Sequence, residues 1–428
     1  MKLPKKVTSE VHFREEVHFL MPAYCRLFSY STKNVLPLSD QREDRRRVMR
    51  KERLIKRIMA IVLATGMVFG TSACDTNGNN SEDSNRKDAA SIKEENQAGI
   101  VKDTTEQIEK EQTDETSAKR TEYPLTITTY GSDGTQLQTT YEKAPEKVLA
   151  VYQGSIETML ALGLEDHLVA TAGLDNEILD EQKAAFSKTN YLDEFTPSLE
   201  TVTMLEPDMI LSWGSLFKEK TLGDAKGWVD KGVNIYMNTN THPLQNEVSY
   251  DKTLDNEYND ILNLGKIFDV QDKAEAIVND MKDIIRKVEE KTVGIEEKPT
   301  ALILEPYKDS FTNYGVTSLG GDMLTKLGGV LANPDASSVG KEDVIAANPD
   351  VIFVVYMPYS GDDPEQVKQE KLNVILEDEA YASLNAVKSK RVVPIMLSEM
   401  YASATRTKDG IVTFAKGLYP EINLGLEE

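Results

Sequence analysis

The chain has 428 residues, 40% of them apolar and 28% charged, enough for two or three compact units and too apolar to be disordered throughout. Its formal charge is −22, but the first 74 residues carry 15 Lys+Arg against 7 Asp+Glu, so the remainder stands at 34 against 64. So acidic a body is repelled by phosphate backbones and anionic lipid, which argues against a nucleic-acid binder, and two cysteines, Cys25 and Cys74, are too few for a disulfide scaffold or a cysteine zinc site.

Residues 1–48 are basic and precede a signal that is complete without them, so they read as an upstream extension with no fold of its own. From Met49 the order is cationic MRKERLIKR, apolar IMAIVLATGMVFG, then small TSA, the pattern of a secretory signal over 49–73. The apolar run has 13 residues, whereas a helix crossing a bilayer needs about 20. Thr71-Ser-Ala-Cys74 resembles a bacterial lipobox, which implies that Cys74 is lipidated and becomes the mature N-terminus; the alternative is an ordinary cleavage site followed by a cysteine. Residues 74–122 are polar and acidic, with no aromatic residue beyond Cys74, and read as a flexible tether.

From Tyr123 short β-branched runs alternate with helical patterns, which predicts an α/β fold with mainly parallel sheets flanked by helices. The expected strands are 147–151, 168–171, 209–212, 233–236, 301–305, 351–355 and 392–396. E-x-V-x-x-x-x-P-D-x-I occurs twice, from Glu200 and from Glu342, which predicts two similar lobes. In each copy the glutamate falls in the first turn of a short helix, where the helix dipole favours a carboxylate, and Pro-Asp ends the helix before a buried strand. Between the copies, Ala276, Ile277, Met281, Ile284, Ile285 and Val288 recur at helical spacing, predicting one rod of about 20 residues, near 30 Å long. The expected division is therefore a lobe over 123–268, a bridging helix over 269–294 and a second lobe over 295–428.

With its lipobox, tether, two lobes and single long helix, the chain resembles the class III substrate-binding proteins of ABC importers, which capture ferric siderophores, haem and cobalamin. The carriers of the likeness are YPLTITTYGSDG with KAPEKVLAVYQGSIETMLALG, SLETVTMLEPDMIL, DKAEAIVNDMKDIIRKVEEK, KEDVIAANPDVIFVV and GIVTFAKGLYPE. The resemblance implies a monomer anchored on the outer face of the cell membrane through Cys74, delivering an iron complex to a permease dimer. It also implies that Glu200 and Glu342 dock on permease arginines. The bare alternative for both is capping of a helix dipole.

In open α/β sheets a ligand sits beyond the carboxyl ends of the strands. The residues expected there are Tyr152, Trp213, Tyr307, Tyr356 with Tyr359, and Tyr401, together with Tyr314 after the run 310–313. Rings at successive loop starts suit a flat or aromatic ligand. Beyond the tether only Arg286, Arg391 and Arg406 remain, and Arg406 is the candidate for an anionic group, against an ion pair with Glu399 or Asp409. His167 reads as structural and His242 as a loop residue near the cleft. One imidazole is a thin metal site, so no bound metal and no cofactor are expected, and iron would arrive already chelated. Ferric siderophore ranks before haem and a corrinoid. A lipoprotein hydrolase is the rival from another class, but G-x-S-x-G, H-E-x-x-H and the phosphate-loop motif are all missing.

Overall fold

The apolar runs are buried on both faces, as strands inside a parallel sheet must be: Val148-Leu-Ala-Val, Met209-Ile-Leu-Ser and the first five residues of Val351–Tyr356 are covered throughout. The computed structural model describes residues 120–130, 135–242 and 251–426. The upstream extension, the signal, Cys74 and the tether up to residue 119 lie outside the described residues.

A hairpin of β1 (Leu125–Tyr130) and β2 (Gln136–Tyr141) opens the described chain. Then come β3 (Val148–Val151), α1 (Gln153–Ala161), β4 (Leu168–Ala172), α2 (Leu199–Leu205), β5 (Met209–Ser212) and β6 (Asn234–Met237). These four strands form one parallel sheet in the order β4-β3-β5-β6. Helices α3 (Leu254–Ile267) and α4 (Gln271–Thr292) follow. The rest is β7 (Thr300–Tyr307), β8 (Ser310–Asn313), α5 (Leu319–Lys326), β9 (Val330–Leu331), β10 (Ser338–Val339), α6 (Lys341–Ala347), β11 (Val351–Tyr356), α7 (Pro364–Leu376), β12 (Val392–Met396) and α8 (Thr407–Leu418). The second sheet runs β10-β8-β7-β11-β12, with β9 beside the start of β7. Only β8 and β10 run antiparallel to their neighbours. The α/β architecture read from the sequence is the one observed. The β1–β2 hairpin was missed, although Ile127 and Thr129 alternate inward along it.

The sequence repeat is a repeated piece of structure. Helices α2 and α6 have seven residues each, bury Val202 and Val344 completely, and end on left-handed residues, Glu206 (φ 47°) and Asn348 (φ 38°). The aspartate after each proline then bridges two strands. Asp208 accepts from the amides of Glu146 and Lys147 at 2.8 and 3.0 Å, and Asp350 accepts from the amide and hydroxyl of Thr300 at 2.9 and 2.8 Å. Each fixes the lower ends of a parallel pair, β3 with β5 and β7 with β11. Glu200 and Glu342 remain exposed on the first turns.

Helix α4 spans 22 residues, about 33 Å at 1.5 Å per residue. Its buried stripe, Ala274, Val278, Met281, Ile284 and Val288, packs on α3 and on α8. Gly265 lets α3 approach α4, since a Cβ there would lie 2.4 Å from that of Ala274. The turn between these helices also holds the start of the described chain: Arg120 pairs with Asp269 at 2.8 Å and the Thr121 hydroxyl donates to the Lys266 carbonyl at 2.6 Å. Residues 120–122, read as the end of the tether, are thus docked on the body.

Candidate functional site

In the first sheet β4 lies on one side of β3 and β5 on the other, and in the second β8 and β9 lie on one side of β7 and β11 on the other; in such sheets a ligand binds at the carboxyl ends of the two central strands, where the order reverses. In the first sheet those ends are β3 and β5, and the residues immediately after them are Tyr152 and Trp213. Their rings stack with centroids 4.0 Å apart and planes 28° apart. Tyr152 holds φ at 83°, a conformation that a bulky side chain adopts only under constraint. Its amide donates to the Ala172 carbonyl at 2.9 Å, and Phe195 meets its ring edge-on at 5.7 Å.

The second half of the chain completes the wall. Tyr401 lies 5.8 Å from Trp213, and Tyr314 lies 6.3 Å from Tyr401. Four of the rings expected at strand ends therefore form one continuous series, two from each half. The Tyr314 hydroxyl donates to Glu305 at 2.7 Å. Tyr356 ends β11, half-buried, without ring contact to the series; burial and then the charges of Glu399 and Glu365 push its phenol up to about 12.

Two expected contacts are corrected. β7 does not stop at Glu305 but runs on to Tyr307 and turns back through Lys308 (φ 53°) into β8. Tyr307 is consequently carried out on the hairpin tip, 52% exposed and away from the other rings. Arg406, expected at the mouth of the cleft, is buried instead. Its Nε and Nη2 donate to the two carboxylate oxygens of Glu157 at 2.6 Å each, and Nη2 also reaches the Glu177 carbonyl at 2.7 Å. Its partner is neither Glu399 nor Asp409. His242 packs on Tyr130, ring centroids 3.8 Å apart, and burial lowers its pKa to about 4; His167 bonds the Pro145 carbonyl through Nδ1 at 2.6 Å.

Neither Lys252 nor Asp175 stands out in the sequence. Lys252 precedes Thr253, whose hydroxyl caps α3, and its Nζ lies 3.8 Å from the centre of the Tyr401 ring. The Lys252 amide donates to the Thr317 carbonyl at 3.2 Å, which holds the loop across the two halves. Asp175 is buried in the loop after β4 and bonds the Tyr152 phenol; burial raises its pKa to about 7. The Ser360 amide donates to the Asp175 carbonyl at 3.0 Å, and Asn176 donates to the Pro358 carbonyl. A cap motif was legible at Thr253, but nothing local told which ring its neighbour would meet.

Burial also raises Glu257 and Glu399 to about 7 and Asp260 to about 6. With Asp175 that makes four carboxyls that hold protons in the folded chain well above their ordinary values near 4. The unfolded chain releases those protons first as pH rises, so their contribution is complete below about pH 4 and is lost as pH climbs through 6–7. His242 works in the opposite direction, one group against four. The melting temperature is expected to be several degrees higher at pH 5 than at pH 8, by calorimetry in one buffer series. A Tm that rises over that interval would mean that these carboxyls are ionised and paired in the folded protein.

The profile of a family described as periplasmic binding protein matches residues 148–396, from the first residue of β3 to the last of β12. An uncharacterized ABC transporter substrate-binding lipoprotein, YvrC of Bacillus subtilis strain 168, is 24% identical over 306 residues, covering 70% of this chain and 87% of that protein. The petrobactin-binding protein YclQ of the same strain is 23% identical over 270 residues, 61% of this chain and 78% of its own. The crystal structure of a periplasmic binding protein from Veillonella parvula DSM 2008 superposes with a TM-score of 0.64 at 30% identity, covering 71% of this chain and 93% of that one. Among the described residues no helix is long and apolar enough to cross a membrane.

Proposed function

Because the chain belongs to the periplasmic binding protein family, we propose that it is the solute-capturing lipoprotein of an ABC importer, held on the outer face of the membrane through Cys74 and taking up a ferric siderophore. The observation that carries this reading is the ring series Tyr152–Trp213–Tyr401–Tyr314, built at the strand ends where such folds bind and contributed equally by both halves. The name of YclQ, petrobactin-binding protein, supports the choice of guest. Glu200 and Glu342 supply the permease contacts: both are exposed and occupy equivalent first turns of the repeated unit.

The chain has two tryptophans, and they report separately. Trp228 is buried with its indole N–H donating to the Leu222 carbonyl at 2.6 Å, a fixed background, whereas Trp213 lies in the ring series. Adding the right ferric chelate is expected to quench emission, and Trp213→Phe to remove most of that quench. Trp213→Ala should weaken binding about tenfold, the worth of a lost stacking surface. Unchanged affinity and quench in both variants would place the ligand elsewhere. An absorption spectrum and mass analysis of whatever co-purifies with the mature chain tests the choice of guest: a broad charge-transfer band supports a ferric chelate, and a Soret band would replace it with haem.

A further inference from the structure

The charges at the ring series narrow the guest, an argument that rests on the capture reading above. We propose that the site selects a chelate with little or no net negative charge and rejects polyanionic ones, with Lys252 and Asp175 as the residues that set this preference.

The arginines among the described residues are engaged elsewhere. Arg120 holds Asp269, Arg286 bridges Asp283 and Glu290 on the surface of α4, and Arg406 is clamped to Glu157. Arg391 donates to the carbonyls of Gly417 and Leu418 at 3.2 and 2.7 Å. The two internal segments outside the description, 131–134 and 243–250, contain no lysine or arginine. Among the described residues the cation that touches the rings is Lys252, over Tyr401 at 3.8 Å.

Carboxyls outnumber it. Asp175 bonds the Tyr152 phenol and Glu305 accepts from Tyr314. One ammonium beside two carboxyls offsets a single negative charge on a guest, and a second or third charge meets like charge where the rings exclude water. The site still asks for oxygen. The Trp213 indole N–H, buried between Tyr152 and Tyr401, has no acceptor in the described structure, and a neutral carbonyl or hydroxamate oxygen would satisfy it. Rings, one unmet donor and one ammonium fit an uncharged or singly charged chelate.

The test titrates the emission of the mature chain at pH 8 with two probes, an uncharged ferric trihydroxamate and a trianionic ferric tricatecholate. The trihydroxamate is expected to bind about 100-fold more tightly, the cost of two uncompensated charges near a protein surface. Raising salt should narrow that ratio by screening the repulsion. Asp175→Asn, which removes one negative charge, should narrow the ratio about tenfold, and Lys252→Glu, a change of two charge units, should widen it. Misfolding does not move a ratio in opposite directions. A tricatecholate that binds as tightly as the trihydroxamate, or ratios indifferent to both substitutions, overturns the inference while the capture reading stands. Binding of neither probe removes the ferric-chelate reading and the inference with it.

Discussion

Replacing Arg406 with methionine is expected to destabilise the protein by about 3–5 kcal/mol, because it leaves a buried carboxylate without its counter-charge. The side chains of Arg406 and Glu157 are 7% and 0% exposed, and their contact is bidentate. Glu157 also accepts from the Gln153 side chain at 2.7 Å, a second contact that holds its carboxylate on α1. The pair joins α1 of the first half to the segment before α8, where the Ala404 amide donates to Glu257 at 2.6 Å and a Cβ on Gly154 would sit 3.2 Å from the Ala402 carbonyl. Losing one charge should loosen that junction. Removing both, with Glu157→Gln and Arg406→Met together, should recover most of the loss, since no ion is then stranded. Urea unfolding of the four proteins gives the coupling directly. A single-variant cost below about 1 kcal/mol would show a solvated pair, the value of surface ion pairs. Had Arg406 been the anion-selecting residue, the pattern would be reversed, with affinity lost and stability kept.

Charge reversal at Glu200 and Glu342 together is expected to abolish uptake while chelate affinity stays within about twofold, as a contact desolvated on docking is worth roughly 2–5 kcal/mol when broken. Both carboxylates are exposed on first turns, so little internal structure depends on them. Each reversal should cost at most about 1 kcal/mol of stability, the scale of a helix-dipole interaction lost at an exposed first turn. Single reversals should give intermediate transport, one lobe still gripping. Uptake at the normal rate by the double variant, with the protein folded and loaded, would leave only the dipole role. The measurement pairs radiolabelled iron uptake in cells with affinity and unfolding of the isolated protein.

The strand 209–212 was legible because a strand buried on both faces reads as an unbroken apolar run, and 392–396, only half-buried, was marked by the same run of apolar residues; both have their observed bounds. The repeat was legible for a similar reason. Helix end, left-handed cap, proline and strand start are all local, so two copies of one local solution leave two copies of one pattern. The rings after the strands followed from the fold class, since the crevice position is set by strand order. Tyr307 failed because a hairpin forms only when β8 pairs back on β7, and that pairing is invisible within the run 301–305.

By itself the sequence determined what depends on neighbours within a turn or a strand: the α/β class, the rod of α4, the twinned Glu-to-Asp units and the aromatic loop starts. Only the tertiary structure decided where the charges go. Arg406 and Glu157 are 249 residues apart, and Glu399 and Asp409 were nearer in sequence, yet burial on α1 gave the guanidinium to the distant acid. Lys252 reached Tyr401 by the same kind of long-range placement. A charge has no periodicity to reveal its partner; it pairs with whatever the packed backbone brings within reach, where the low dielectric makes that choice binding.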